Sequence, residues 1–345
     1  MTMSDYVTLK EITSQTAAWT EAIERANALA PEIVDLEIAS QRQVICVGCG
    51  STYYLALSVA SLLQSRTGVV ARAFPASELL LNPDAAYVDG TTILVALSRS
   101  GATSETLRVV ADFKARRPGK ILVVTNDADS AIAAHGDIVL VMAKGQERSV
   151  AQTRSFASMH VAAAAIADLA GPAPLRNAYG DALVACGNRL IGEHTDLAQS
   201  LATDRQISQV FFLGSGPRYG LACEASLKLK EMSQTVSEPF HFFEFRHGPI
   251  SMVDRDTLVV GLVSEGAHHH ETAVLDEVRA IGGRTLSLGE TGTDVAFSSG
   301  VPEHVRNVLY LPVLQLFAYH RAVAGGKNPD RPRNLAAFVE LALER

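Results

Sequence analysis

No apolar run in this chain approaches the ~20 residues that span a bilayer. The stretch Val161-Ala-Ala-Ala-Ala-Ile-Ala is short and ends at Asp168. The first residues, Met1-Thr-Met-Ser-Asp-Tyr, carry neither a basic segment nor an apolar core, so no signal peptide is visible. A cytoplasmic protein with no membrane contact is therefore expected. Positive charge is also scarce: a net charge of −7 argues against a general nucleic-acid surface. It leaves room for a small anionic ligand, which needs only a local site. Cysteine is limited to Cys46, Cys49, Cys186 and Cys223. Cys46 and Cys49 form a C-x-x-C, but one falls in an apolar strand pattern and the other in the turn after it. No second C-x-x-C and no spaced histidine pair follows, so neither a zinc site nor redox chemistry is expected. His268, His269 and His270 are adjacent and lack a completing ligand pattern, so they read as a solvated loop. What the chain has in quantity is apolar residues, 48% against 19% charged, over 345 residues. That composition describes a packed globular protein with room for two domains.

The chain reads as two copies of one unit. Val44-Ile-Cys-Val-Gly-Cys-Gly50 recurs as Val210-Phe-Phe-Leu-Gly-Ser-Gly216. Thr92-Ile-Leu-Val-Ala-Leu-Ser98 recurs at the same offset as Leu258-Val-Val-Gly-Leu-Val-Ser264. Lys120-Ile-Leu-Val-Val-Thr pairs with Arg284-Thr-Leu-Ser-Leu-Gly, and Asp137-Ile-Val-Leu-Val-Met with Asn307-Val-Leu-Tyr-Leu-Pro, at nearly that offset. A repeat of this kind marks an internal duplication. The runs are continuously apolar and β-branched, which suits parallel strands buried on both faces. Helical periods lie between them. The expected fold is α/β: two tandem doubly wound, flavodoxin-like parallel sheets. The segments expected are a leading helical part over 1–40, a first domain over 41–171, a helical bridge over 172–205, a second domain over 206–324 and a tail over 325–345.

Ligands of open α/β sheets bind beyond the carboxyl ends of the strands. In the first copy those ends carry Gly48-Cys-Gly-Ser-Thr52 and Ser98-Arg-Ser-Gly-Ala-Thr103. Both are small, hydroxyl-rich turns leading into helices, and free helix N–H groups plus hydroxyls suit a phosphate monoester. Neither a dinucleotide fingerprint nor a Walker loop is present. In the second copy the loops read Gly214-Ser-Gly-Pro-Arg and Ser264-Glu-Gly, where a carboxylate would repel phosphate. One phosphate site, in the first copy, is expected. The second copy offers acid–base groups instead. Glu224-Ala-Ser-Leu-Lys-Leu-Lys-Glu231 places carboxylates on a mostly apolar helix, and Arg246-His-Gly-Pro249 places a histidine on a Gly-Pro loop. Glu224, Lys228 and Glu231 fall on one side, so Lys228 could pair with either carboxylate. Spacing alone does not choose between Glu224 and Glu231.

These motifs, with Glu147 to Thr153 and Arg331-Pro-Arg-Asn-Leu335, resemble the sugar isomerase (SIS) domain family. The resemblance is closest to the isomerase half of glucosamine-6-phosphate synthases and their stand-alone relatives. It implies that Ser51, Thr52, Ser98, Ser100 and Thr103 bind the sugar phosphate and that Val150 and Gln152 line the sugar. It implies that Glu231, next to Lys228, shuttles a proton between C1 and C2. It also implies that His247 opens the ring from a neighbouring subunit, making a homodimer with shared active sites. The chain departs from the synthases in several places. Only ~40 residues precede the first copy, with no nucleophilic cysteine near the start. Ala337 stands where the synthases have an imine-forming lysine, and Arg99 and Gln152 replace usual pocket residues.

The expected function is therefore that of a stand-alone deaminase. Glucosamine 6-phosphate would become fructose 6-phosphate and ammonia, with no metal or organic cofactor. The alternatives are a fructosamine-6-phosphate deglycase, such as one acting on fructoselysine 6-phosphate, and a plain aldose–ketose isomerase. A non-catalytic sugar-phosphate sensor is less well matched, because residues 1–40 are short and acidic for a DNA-binding partner domain.

Overall fold

The computed structural model describes residues 6–336, and within them two parallel five-stranded sheets. The first contains β1 (Gln43–Gly48), β2 (Ala71–Pro75), β3 (Thr92–Ser98), β4 (Gly119–Thr125) and β5 (Ile138–Val141), in the order β2-β1-β3-β4-β5. The second contains β6 (Gln209–Gly214), β7 (Val236–Phe240), β8 (Thr257–Leu262), β9 (Arg284–Gly289) and β10 (Val295–Ala296), in the order β10-β9-β8-β6-β7. Read from the other edge, this is the same doubly wound order. The central strands β1, β3 and β8 are buried along their whole length and β6 along all but its first residue, as their continuous apolar runs require.

The duplication extends to side chains. Gln43 Nε2 donates to Thr92 Oγ1 at 3.0 Å, and Gln209 Nε2 donates to Thr257 Oγ1 at 2.8 Å, at the matching strand starts. It extends also to glycine. A Cβ on Gly48 would lie 2.5 Å from the Thr52 carbonyl, and one on Gly214 would lie 2.5 Å from the Arg218 carbonyl. Each helix thus starts too close to its strand to allow any side chain there. Gly50 and Gly216 then turn the chain at φ of 55° and 57°.

The described chain divides into two compact units. One holds the first sheet and takes Ser14–Glu147 and Arg154–Asp181. Its core joins Ile45, Val47, Leu94, Ala96, Val123 and Phe113 on one side of the sheet. Helices Gln15–Ala28, Ser51–Thr67 and Arg154–Ala170 pack together with Trp19 fully buried among the described residues of this unit. The other unit holds the second sheet and takes residues up to Thr13, Arg148–Thr153 and Ala182–Leu335. Its core includes Phe211, Leu213, Val259, Phe242, Phe245 and Val274.

Two sequence expectations need correction. The run from Asn307 is not a fifth strand. It is a 3₁₀ turn, Asn307–Tyr310, leading into the helix Leu311–Ala324, and the two-residue β10 takes the edge position beside β9. A mostly apolar run that continues to Tyr319 fits a buried helix better than a strand. His268, His269 and His270 are not a loop but the first turn of the helix His268–Ala280. Ala337 and the final helix expected after it lie outside the described residues. Among the described residues, no helix is long and apolar enough to cross a membrane.

Candidate functional site

In the first unit, the helices Ser51–Thr67 and Ser104–Arg116 start where β1 and β3 end. The hydroxyls there fall into two groups. Some shape the turns. Thr52 Oγ1 accepts from the Cys49 N–H and donates to the Cys49 carbonyl, both at 2.9 Å. Ser98 Oγ accepts from the Gly101 N–H at 3.0 Å. Others remain at the helix entrances. Ser51 is the first residue of its helix, and Thr103 is the N-cap of the other with no side-chain capping bond. Ser100 Oγ accepts only a long, 3.3 Å bond from the Ala102 N–H. Two helix N-termini with these hydroxyls form an anion-accepting edge. Glu105, in the first turn of the second helix, keeps one buried carboxylate oxygen without a hydrogen-bond partner in the structure.

Arg99 lies buried within this loop, its guanidinium 3.9 Å from the Glu147 carboxylate. Glu147 in turn accepts from the Arg154 N–H at 3.0 Å and from the Ser155 hydroxyl, so it caps the helix Arg154–Ala170. Arg99 is thus fixed beside the hydroxyls, a positive charge that composition alone did not locate. The nearby C-x-x-C thiols are held in their protonated form. Burial raises Cys46 far above its ordinary value, and burial chiefly raises Cys49 too, with Glu105 adding to the effect.

In the second unit, Lys228 ends the helix Pro217–Lys228 and is only 2% exposed. Its ammonium lies 3.2 Å from Glu224 and 2.5 Å from Glu231. Burial alone would pull this ammonium down, but the two carboxylates outweigh burial and hold it above its ordinary value. Glu224 is 2% exposed and Glu231 is 18% exposed. The two therefore differ in reach: Glu224 is a buried counter-charge, whereas Glu231 meets solvent. The helix turns π-helical over Leu229–Ser233, so Glu231 sits on a widened turn. Single π-turns of this kind occur often at functional positions. Helical spacing predicted the shared lysine but not this turn.

His247 is exposed, on the loop after the short helix Phe242–Phe245, and Gly248 follows it at a φ of 133°. Val150 and Gln152 belong to this second unit, although they precede its sheet in sequence. The Arg148 N–H donates to Glu11 at 2.6 Å, the Val150 N–H donates to the Asp330 carbonyl at 3.1 Å, and Gln315 Nε2 donates to the Thr153 carbonyl at 3.1 Å. Asp330 also caps the first helix through the Val7 and Thr8 N–H groups at 3.0 and 2.8 Å. No sequence pattern announced this clasp, because its partners are far apart in the chain.

The strand-end loops of the second unit are closed by carboxylates. The Ser264 N–H donates to Glu271 at 2.6 Å and the Glu265 N–H donates to Glu303 at 3.3 Å. Glu303 is held by Arg218 at 2.7 Å, and Arg306 holds Glu265 at 2.7 Å. Two N–H groups of the loop after β8 are thus already occupied.

The SIS domain profile matches residues 37–169 and 205–314. Among curated relatives, the chain is 27% identical over 345 residues to the isomerizing glutamine–fructose-6-phosphate aminotransferase of Methanothermobacter thermautotrophicus, covering 97% of this chain and 57% of that protein. It is 31% identical over 330 residues to the same-named protein of Pseudomonas aeruginosa, covering 90% and 53%. The chain thus spans about half the length of the curated relatives it matches. Among solved structures, glucosamine-6-phosphate deaminase from Thermotoga maritima superposes with a TM-score of 0.82 at 26% identity, over 97% of this chain and 99% of that one. The tagatose-6-phosphate ketose/aldose isomerase of Escherichia coli shares the fold, with a TM-score of 0.82 at 23% identity over 96% and 98%.

Proposed function

The chain belongs to the SIS domain family, and we propose that it deaminates glucosamine 6-phosphate to fructose 6-phosphate and ammonia. The fold is that of phosphosugar isomerases. The observation that carries the reading is the Glu224–Lys228–Glu231 arrangement, in which one carboxylate is sealed off and the other, on the π-turn, remains partly exposed. A carbon-bound proton is removed only by a base that can reach it, which favours Glu231.

Each proposed step balances without a cofactor. His247, supplied by a second copy of the chain in a homodimer, opens the sugar ring. Glu231 takes the C2 proton of the open aminoaldose and returns a proton to C1. The resulting C2 imine is hydrolysed by water, giving the ketose phosphate and ammonia. Lys228, 2.5 Å from Glu231, holds that carboxylate in position. Ser51, Ser98, Ser100 and Thr103 hold the phosphate with the helix N–H groups. Thr52 builds the turn, and Val150 and Gln152 shape the room around the sugar. Similarity to a glucosamine-6-phosphate deaminase supports this reading. Alanine at position 337 supports it against imine-dependent amino transfer.

The test is to incubate the enzyme with glucosamine 6-phosphate, with and without glutamine, and to measure ammonia and fructose 6-phosphate. Equal amounts of both, independent of glutamine, are expected. No ammonia from glucosamine 6-phosphate, together with cleavage of a fructosamine 6-phosphate, would assign the chain to the deglycases instead.

A further inference from the structure

The second unit contains a cavity of about 560 Å³ at the N-terminal ends of β6 and β7, opposite the strand ends that carry the loops. Its size is that of a small-molecule site. Its lining carries three cations, Arg205, Arg321 and Lys327, and no carboxylate, in a chain whose net charge is −7. The acidic residue beside the lining is already spent: Asp204 pairs with Arg284 at 2.5 Å and accepts from the Gln206 N–H at 2.9 Å. Arg321 donates to the carbonyls of Ala202, Asp204 and Ile207, which fixes its positive charge in the wall. Arg205 is exposed and has no ion pair or hydrogen bond among the described residues. Ser208, Thr235 and the exposed Gln234 add polar groups to the wall.

The cavity also touches the turn that bears Glu231. Ser233 and Gln234 line it, and they end the π-helical turn Leu229–Ser233. Lys327 donates to the Ser233 carbonyl. An anion that draws Lys327 toward itself competes with that bond and so acts on the turn.

We propose that this cavity binds a small phosphate-bearing metabolite as an effector, with Arg205 and Lys327 as its anchors and the Glu231 turn as its readout. The regulatory half rests on the role of Glu231 proposed above; the binding half does not. A single charged anchor lost from a phosphate site costs roughly tenfold in affinity or more.

The test uses the whole chain and inorganic pyrophosphate as probe, with calorimetric titration at matched ionic strength. Arg205→Ala should weaken binding at least roughly tenfold while leaving the melting temperature of the unliganded protein unchanged. Lys327→Met should weaken it comparably. Two controls decide the location. The double variant Ser100→Ala/Thr103→Val should bind pyrophosphate in the cavity like wild type. Arg255→Ala, whose side chain is 90% exposed and which does not line the cavity, should also leave it unchanged. Absence of binding, equal losses in the Arg205 and Arg255 variants, or loss only in the loop variant would each overturn the proposal. Pyrophosphate should further change turnover of glucosamine 6-phosphate in wild type and not in Arg205→Ala. Binding with no effect on a turning-over enzyme would overturn the effector role. A lack of turnover under all conditions, with Arg205-dependent binding intact, would overturn the deaminase reading instead.

Discussion

After β3, the first unit folds a serine turn in which Ser98 Oγ accepts the Gly101 N–H at 3.0 Å; after β8, the second unit folds the same turn, Ser264 Oγ accepting the Ala267 N–H at 3.1 Å. The scaffolds match, yet their surroundings do not. In the second unit Glu271 and Glu303 accept the Ser264 and Glu265 N–H groups, Arg218 holds Glu303, and Arg306 holds the Glu265 side chain. In the first unit Glu105, at the position corresponding to Glu271, accepts no such strand-end N–H among the described residues, and hydroxyls stand at the helix entrances. A duplicated sheet therefore preserved its strand ends and exchanged what fills them. On the proposed reading, one copy offers its donors to an anion, and the other carries the proton-handling carboxylate on a different element.

The largest effect that would break this division of labour is at Glu231. Glu231→Gln should lower kcat by roughly 10²–10⁴-fold, since the amide keeps the shape but takes no proton. Steady-state kinetics on glucosamine 6-phosphate checks this. Near-normal activity in Glu231→Gln with an inactive Glu224→Gln would move the base to Glu224. Mixing Glu231→Gln chains with His247→Ala chains should restore part of the activity, because a hybrid of the proposed dimer would contain one complete set of groups. No recovery, with subunit exchange demonstrated, would place both residues in service of a single chain.

A stability effect of similar size separates buried imidazoles from catalytic ones. His160, fully buried in the first unit with Ser58 3.0 Å from its Nε2, has its pKa lowered to about 4 by burial. Burial favours the neutral form in the folded chain, so between pH ~4 and ~6.5 the unfolded chain binds the extra proton. Stability should be full above pH ~6.5 and should fall as the pH drops toward ~4, by roughly 3 kcal/mol from this group. His320 in the second unit is lowered in the same direction by burial and adds to the loss. Chemical denaturation at a series of pH values measures it. A flat profile over that window would contradict the burial argument.

The two loop sets should respond differently to loss of their polar groups. Ser100→Ala/Thr103→Val should raise KM for a sugar phosphate roughly tenfold or more while leaving the fold stable. Glu271→Ala leaves the buried Ser264 N–H without its acceptor, so it should cost about 1–3 kcal/mol of stability and little KM. Thermal melts beside kinetics distinguish these outcomes. The reverse pattern would mean that the second loop set, not the first, serves the ligand.

Much of this was legible in the sequence because buried parallel strands need continuous β-branched runs, and those runs repeat. The Gly48 and Gly214 turns, the loop hydroxyls and the shared Lys228 could be placed by pattern. The choice of Glu231 over Glu224 was not legible, since it depends on burial and on a π-turn that spacing does not encode. Nor was the fifth strand. Val295 and Ala296 carry too short a signal, whereas the run from Asn307 looked like a strand until its length made it a helix. The Glu11, Asp330 and Gln315 clasp on residues 148–153 joins positions too distant in the chain for any local pattern to pair.

The proposed function splits phosphate grip from proton transfer, and one binding measurement tests that split most directly. Calorimetric titration with a non-reactive 6-phosphate sugar alcohol should be run on wild type, Glu231→Gln and Ser100→Ala/Thr103→Val. The split predicts that Glu231→Gln binds within about threefold of wild type, whereas the loop variant loses roughly tenfold or more. Equal affinity in the loop variant, with binding lost in Glu231→Gln, would contradict it.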